Sequence, residues 1–148
     1  MKSLTLLALT LLAVSAVHGT KMLRQLTLGS FPTDISVCDD VPDSGIQAFQ
    51  GTWDAKPTKA STISVHIDGT VTNDMTITTI QVATTFDGNV VQTDKFPLGK
   101  DYKSGDNFHW DYKQYLPGFT PSGDYTLRIT FLDAAGTSNG CAAAKLTL

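Results

Sequence analysis

Apolar and polar residues alternate along four stretches of the chain, which cover residues 63–68, 80–86, 108–113 and 125–131. A period of two is typical of β-strands, because successive side chains of a strand point to opposite faces of the sheet. The apolar residues of each stretch therefore share one face. The alternation predicts four strands, each apolar on one side and polar on the other.

Four further strands are predicted at residues 34–38, 45–53, 90–94 and 142–148, the last from the weakest pattern. Turn-forming residues separate the predicted strands. They occur as Asp68-Gly69, Asn73-Asp74, Asp87-Gly88-Asn89, Ser104-Gly105-Asp106, Pro121-Ser122-Gly123 and Asn139-Gly140. Short strands at this spacing, with no helix predicted beyond the N-terminal leader, predict an all-β fold in which two antiparallel sheets pack as a sandwich.

The composition agrees with an all-β fold. Every acidic residue is Asp, which favours turns, and Thr, which favours strands, is abundant. The formal net charge of −3 indicates a weakly acidic surface. Because nucleic-acid binding needs clustered positive charge, this balance argues against a nucleic-acid partner.

Residues 1–19 are predicted to be a signal peptide. Met1-Lys2 gives a positive start, an apolar run covers residues 4–13, and small residues suit cleavage after Ala16 or Gly19. The run is too short for a membrane span, and the alternative is a buried N-terminal helix. Residues 20–32 are predicted to be a pro-segment or a loose N-terminal arm, and residues 33–148 a single domain. Export predicts a protein that is secreted or resides in the lumen of a vacuole or lysosome.

Cys38 and Cys141 stand near the two ends of the predicted domain. Export leads to an oxidising compartment, which a disulfide needs. If the two cysteines pair, the bond closes a loop of roughly 100 residues and stabilises the fold by at most about 4.7 kcal/mol, through lost entropy of the unfolded chain. The alternative is a pair of free thiols.

Residues suited to catalysis or metal binding are sparse. His66 and His109 fall on the polar faces of their predicted strands, and neither has a second histidine at the spacing of a metal site. Asp39-Asp40 is a carboxylate pair whose members point apart in an extended chain, so a glycosidase-type site is a weak alternative. No phosphate-binding, dinucleotide-binding or Gly-x-Ser-x-Gly motif occurs. The sequence predicts no enzyme, no catalytic residue, no metal and no cofactor.

Residues 115–127, with the sequence Tyr-Leu-Pro-Gly-Phe-Thr-Pro-Ser-Gly-Asp-Tyr-Thr-Leu, resemble a signature of the ML (MD-2-related) lipid-recognition family. The segment is most similar to the branch of phosphatidylglycerol and phosphatidylinositol transfer proteins. The Niemann–Pick type C sterol carrier and the group 2 mite allergens belong to the same family. Residues 35–39, 96–100 and 131–141 agree with the family in order and spacing, so the resemblance extends over residues 35–148.

The resemblance implies an immunoglobulin-like β-sandwich with an apolar pocket between the sheets, which holds one phospholipid or sterol. Members of the family bind and carry single lipids without chemistry. A disulfide between the first and last strands is also implied, here Cys38–Cys141. Two further disulfides of many members are absent, and Phe96 stands where one of their cysteines would lie beside the pocket mouth.

The predicted lipid contacts are the inward-facing residues, for which ordinary core packing is the alternative. They are Ile63, Val65, Ile67, Val82, Phe86, Phe108, Trp110, Leu127, Ile129 and Phe131. The predicted pocket mouth is Phe96, Pro97, Leu98 and Tyr102, with Lys95, Lys100 and Lys103 around it and Phe119 as a candidate second lip. Apolar side chains beside lysines suit transient contact with an anionic membrane surface.

The sequence thus predicts a monomeric, secreted protein that binds lipid and transfers it between membranes. The first alternative is an extracellular recognition module with a filled core, which binds a receptor or a glycan through its loops. A small secreted hydrolase is a weaker alternative. Periodicity along a strand cannot distinguish a solid core from a hollow one. The presence of a cavity between the sheets would favour the lipid carrier, and its absence would favour the recognition module.

Overall fold

The structure, a computed structural model, describes residues 31–148, and the predicted signal peptide lies outside the described residues. Residues 31–148 form nine β-strands and no helix. The strands are β1 (Phe31–Pro32), β2 (Asp34–Val37), β3 (Ile46–Trp53), β4 (Ser61–Val71), β5 (Met75–Phe86), β6 (Asn89–Tyr102), β7 (Asn107–Leu116), β8 (Asp124–Leu132) and β9 (Ser138–Thr147). This part of the chain accordingly contains no helix able to cross a membrane.

The strands form two antiparallel sheets. One sheet has four strands in the order β1-β3-β4-β7, and the other has five in the order β2-β9-β8-β5-β6. The predicted all-β, immunoglobulin-like sandwich is confirmed. The edge strands β6 and β7 belong to different sheets, and the chain passes from one to the other through residues 103–106.

The N-terminal strands tie both sheets together. β1, which contains the last two residues of the 20–32 segment, pairs with β3 of the four-stranded sheet, and β2 pairs with β9 of the other. The crossing is at Thr33, whose N–H donates to the carbonyl of Gly51 at 3.0 Å. The Thr33 hydroxyl donates to the carbonyl of Lys145 at 3.4 Å in the opposite sheet.

The predicted turn at Asp68-Gly69 is wrong, because both residues lie inside β4, paired with His109 and Phe108 of β7. A Cβ atom at Gly69 would lie 2.7 Å from a methyl carbon of Ile46. Glycine is therefore needed here for the close approach of β3 rather than for a change of direction. The turn predicted at residues 73–74 does follow the strand.

The predicted turn at Asn139-Gly140 is also wrong, because both residues lie inside β9. A Cβ atom at Gly140 would clash with the hydroxyl oxygen of Ser44.

Residues 96–100 extend β6 beyond residue 94, where the strand was predicted to end, and pair with β5. The ladder is irregular between Ile77 and Thr79, opposite Pro97, and Gly99 has a φ of 62°. An edge strand with a bulge accommodates both residues, since the proline there need not donate to a neighbour.

The core lies between the inward faces predicted by the alternation. Val65 and Ile67 of β4 are fully buried, as are Ile129 and Phe131 of β8. At its centre the ring of Phe108 meets the ring of Phe131 edge-on, with centroids 5.0 Å apart.

The predicted disulfide between Cys38 and Cys141 is confirmed. Cys38 follows β2 and Cys141 lies in β9, so the bond joins neighbouring strands across 103 residues of sequence. The Cys38 N–H also donates to the carbonyl of Cys141 at 3.1 Å. Covalent and backbone bonds together hold the beginning of the domain to its end.

Candidate functional site: an apolar cavity between the sheets

A cavity of about 500 Å³ opens at one end of the sandwich. This is the end where the β5–β6 hairpin, the β7–β8 loop and the last residues of the chain meet. Side chains of both sheets line it, so the cavity lies between them. The lining consists of Ile63, Thr84, Phe86, Val91, Gln92, Gln114, Tyr115, Leu116, Pro117, Phe119, Thr120, Pro121, Tyr125, Leu127, Leu146 and Leu148.

Three of the ten predicted lipid contacts line this cavity: Ile63, Phe86 and Leu127. The other seven lie further along the same strands and pack into the core. These are Val65, Ile67, Val82, Phe108, Ile129 and Phe131, all at most 1% exposed, and the partly buried Trp110. Alternation identified the inward face correctly, and the cavity occupies one end of that face.

The predicted mouth residues lie on β6, outside the cavity lining. Phe96 and Leu98 pack against the core, and Pro97 is exposed. Tyr102 is 2% exposed, and the ammonium group of Lys100 lies 4.6 Å from the centre of its ring. Lys95 and Lys100 therefore lie on the part of β6 beyond the cavity, and Lys103 follows this strand. None of the three lysines lines the cavity.

Exposed apolar side chains gather at the cavity rim. Val91, Tyr115 and Phe119 are 56%, 57% and 89% exposed, and all three contribute to the lining. Val90, beside Val91, is 63% exposed. A cluster of large, solvent-exposed apolar side chains often marks a binding surface.

Phe119 projects from a tight turn. The Thr120 N–H donates to the carbonyl of Pro117 at 3.0 Å, and the Thr120 hydroxyl donates to the same oxygen at 2.7 Å. The Tyr125 hydroxyl donates to the carbonyl of Pro121 at 2.9 Å, which fastens the loop to β8. The loop thus holds Phe119 outward without burying it.

Inside the opening, the ring of Phe86 stacks on that of Tyr125, with centroids 4.6 Å apart. Burial raises the pKa of Tyr125. The wall that these rings form is uncharged and apolar, and it suits a hydrocarbon ligand better than a polar one.

Two amide side chains, Gln92 and Gln114, line the side of the cavity between the sheet edges. Gln92 of β6 donates through Nε2 to Oε1 of Gln114 on β7 at 3.4 Å. The Tyr112 hydroxyl donates to the same oxygen at 3.2 Å. Burial raises the pKa of Tyr112 to about 12, so this hydroxyl stays neutral in ordinary buffers. These amides could orient the polar part of a ligand whose apolar part enters the cavity.

Sequence reasoning did not place Val91, Leu146 or Leu148 at the site. Leu146 pairs with Tyr125 across the β8–β9 ladder, so the C-terminal strand forms part of the wall. The strand was predicted from a weak pattern because small residues (Ala142 to Ala144) dominate its first half. The apolar pair Val90-Val91 after the 87–89 turn was the available signal for the rim.

A cluster of histidine and aspartate side chains lies on the outer face of the four-stranded sheet. The β4–β7 register pairs His66 with Asp111 and Asp68 with His109. The residues proposed from sequence to be two separate solvated histidines are therefore brought together. One ligand atom each from His66, His109 and Asp111 lies within 4.8 Å of the others. The register between β4 and β7 brings these side chains together. The spacing of residues along one strand does not reveal this register.

Carboxylates contact both ring nitrogens of His66. Nδ1 lies 2.6 Å from Oδ1 of Asp111, and Nε2 lies 2.6 Å from Oδ1 of Asp54. These hydrogen bonds, that with Asp111 foremost, raise the pKa of His66. The hydrogen bond between His66 and Asp54 lowers the pKa of Asp54. The imidazole is thus held between two acceptors.

No protein-family model matches this chain, and no curated protein does. Among solved structures, a Niemann-Pick type C2 protein from Japanese carpenter ant is similar, with a TM-score of 0.45 and 14% identity over 81% of this chain and 95% of that one. Chicken MD-1, crystallised with lipid IVa, gives a TM-score of 0.38 and 12% identity over 78% of this chain and 98% of that one. Both similarities are distant, and the fold and the cavity described above rest on strand register and side-chain positions.

Proposed function

We propose that this protein binds one phospholipid or sterol in the cavity between its sheets and carries it between membranes. The observation that carries the proposal is an apolar cavity whose rim bears exposed apolar side chains. Its volume of about 500 Å³ falls within the range of about 300–1,000 Å³ that is usual for small-molecule sites. An acyl chain or a sterol ring system would enter the cavity, and the polar head would remain at the opening.

The family resemblance supports the same function. Half of the lining residues, eight of sixteen, come from residues 115–127, the segment that resembles the ML signature. The segment supplies the end of β7, the rim loop and the start of β8. We infer on this basis that the chain is an ML-type lipid carrier, and we propose that it belongs to the branch of phosphatidylglycerol and phosphatidylinositol transfer proteins, which the segment resembles most.

Binding of this kind needs no catalytic group. Each methylene removed from water contributes about 0.8 kcal/mol. A chain of about a dozen methylenes would thus contribute about 10 kcal/mol of favourable transfer free energy, from which the costs of association are subtracted. We propose that the protein carries out no chemistry on its ligand.

We propose that the protein acts outside the cytoplasm, either secreted or in the lumen of a vacuole or lysosome. The disulfide supports this location, because such bonds persist in oxidising compartments. The predicted signal peptide agrees with it. We also propose that the monomer contacts the membrane transiently through Val91, Tyr115 and Phe119 when it exchanges its ligand.

Native mass spectrometry of the purified protein tests binding. The expected result is a mass increase that matches one lipid and disappears on extraction with organic solvent. Transfer of fluorescent phospholipid and fluorescent sterol between vesicles then tests carriage and ligand class. A protein that never carries a lipid, and that rejects both ligands in the transfer assay, would instead favour a recognition module that acts through its loops.

A further inference from the structure

We propose that His66, His109 and Asp111 form a binding site for a divalent transition-metal ion, Zn²⁺ in the first place. The site lies on the outer face of the four-stranded sheet. It is separate from the lipid cavity, whose lining contains none of the three residues. The proposal is independent of the proposed lipid function.

The sheet itself positions the three side chains. His66 lies in β4 between the buried residues Val65 and Ile67, so its side chain points outward. His109 and Asp111 alternate with inward-facing residues of β7 and project from the same outer face. Because β4 and β7 share a regular ladder from end to end, the relative positions of the ligands are fixed by backbone hydrogen bonds.

The distances suit a metal ion after small side-chain movements. Oδ1 of Asp111 lies 2.6 Å from Nδ1 of His66 and 3.2 Å from Nε2 of His109. All three ligand atoms lie within 4.8 Å of one another. Ligands at about 2.0 Å from a tetrahedral zinc ion are themselves about 3.3 Å apart. The side chains are 35%, 60% and 48% exposed for His66, His109 and Asp111, so they are free to make this adjustment.

The ring nitrogens that face away from the cluster are also held. Nε2 of His66 lies 2.6 Å from Oδ1 of Asp54, and Nδ1 of His109 lies 2.8 Å from Oδ1 of Asp68. Histidines that bind metals commonly place their second ring nitrogen against a carboxylate in this way, which fixes the tautomer and the ring orientation. Both histidines of the cluster have this support, so the arrangement extends beyond the three ligands.

The charge and chemistry of the site favour a borderline-soft cation. Three carboxylates surround two imidazoles, and two imidazoles with one carboxylate suit Zn²⁺, Cu²⁺ or Ni²⁺ better than Mg²⁺ or Ca²⁺, which prefer oxygen ligands alone. Three protein ligands leave at least one coordination position for water or for a donor from another molecule. The three ligand side chains are solvent-exposed, and the proposal is one of ion binding.

Isothermal titration of the full chain with Zn²⁺, after chelator treatment and without a histidine tag, tests the proposal. The expected result is saturable binding of one ion per chain. His66→Gln, His109→Gln and Asp111→Asn should each weaken binding at least tenfold, and Asp54→Asn and Asp68→Asn should weaken it by about ten- to a hundredfold through loss of histidine orientation. Asp101→Asn, an exposed carboxylate on the other sheet, is the matched control and should bind as the parent does.

Imidazole nitrogen chemical shifts provide a second readout. Zn²⁺ should shift Nδ1 of His66 and Nε2 of His109, and far-ultraviolet circular dichroism should show that all variants keep the fold. Absence of saturable binding by the parent protein would overturn the proposal. So would equal affinity in the parent and in a folded His66→Gln, His109→Gln double variant.

Discussion

The ring of Phe96 packs edge-on against the indole of Trp110, with centroids 5.4 Å apart and an interplanar angle of 62°. The two residues belong to β6 and β7, the edge strands of different sheets. Phe96 also meets Tyr112 edge-on, with centroids 5.7 Å apart. Aromatic contact therefore closes the sandwich between these edges, and the cavity opens nearer the end where Gln92 and Gln114 meet.

Replacing Phe96 by Ala should extend the cavity along β6 and β7. The ring is partly buried, so we expect a loss of about 2–3 kcal/mol in the free energy of unfolding, below the full range for a buried phenylalanine. A bulkier or longer lipid should then bind better relative to a short one. Urea denaturation and competition between lipids of different chain length measure the two effects.

Phe49→Ala is the matched control for Phe96→Ala. Phe49 is also partly buried and stacks on Phe131, with centroids 6.0 Å apart, but it does not line the cavity. It should lose stability without a change in lipid preference. Unchanged preference in Phe96→Ala as well would show that the aromatic cluster does not limit the ligand.

A cavity should accept added volume where a solid core does not. Leu127 lines the cavity, whereas Ile129, two residues along the same face of β8, is fully buried and does not. Leu127→Phe should lower lipid affinity with little change in melting temperature, because the ring enters empty space. Ile129→Phe should cost about 1–3 kcal/mol by overpacking. Comparable destabilisation by both changes would mean that no usable cavity lies beside Leu127.

The inward and outward faces of the sheets could be predicted from sequence because burial imposes a period of two on each strand. Val65, Ile67, Ile129 and Phe131 are buried as that period requires. The position of the cavity could not be predicted, because it depends on how far apart the two sheets lie at each level. The sequence does not encode that separation in the alternation of any one strand.

The two wrong turns have a related cause. Gly69 and Gly140 are turn-forming residues by local preference, but each lies inside a strand. Gly69 allows the close approach of Ile46, and Gly140 allows that of Ser44. Tertiary contacts override the local preference at both positions. The His66–Asp111 contact could not be predicted from the sequence either, because it depends on the register between β4 and β7.

The disulfide should contribute strongly to stability. Cys38 and Cys141 are 103 positions apart in the sequence and are both buried, so removing the bond frees the ends of the unfolded chain. A Cys38→Ala, Cys141→Ala double variant should lose about 2–5 kcal/mol in the free energy of unfolding. Urea denaturation of the parent with and without reductant gives the comparison. Coincident curves for the parent and the double variant would contradict the expected contribution.

Phe119 should anchor the protein at membranes. It is 89% exposed at the cavity rim, whereas Phe31 is 45% exposed on β1 and outside the lining. Phe119→Ser should lower both vesicle co-sedimentation and the rate of lipid transfer, because an apolar ring that enters the interface is lost. Its melting temperature should stay close to that of the parent. Phe31→Ser is the control, and an equal loss of transfer in both variants would argue against a specific role of the rim.

The Asp40–Arg128 pair should make stability depend on pH in the acidic range. Arg128 donates two hydrogen bonds of 2.9 Å, one to each carboxylate oxygen of Asp40, and these hold the pKa of Asp40 below its ordinary value of 3.8. A carboxyl group with a lowered pKa in the folded state adds stability above its unfolded pKa, and that contribution is lost as the pH falls through the folded pKa. Both side chains are exposed, so the effect should be small and should weaken with added salt.

Asp40→Asn should accordingly be less stable than the parent at neutral pH, and the difference should shrink as the pH falls through the lowered pKa of Asp40 in the folded state. Urea midpoints at several pH values, at low and high salt, measure this difference. Asp39→Asn, which changes the neighbouring exposed carboxylate, is the control for the loss of one negative charge. A difference between parent and Asp40→Asn that persists unchanged into strong acid would mean that the ion pair is not its source.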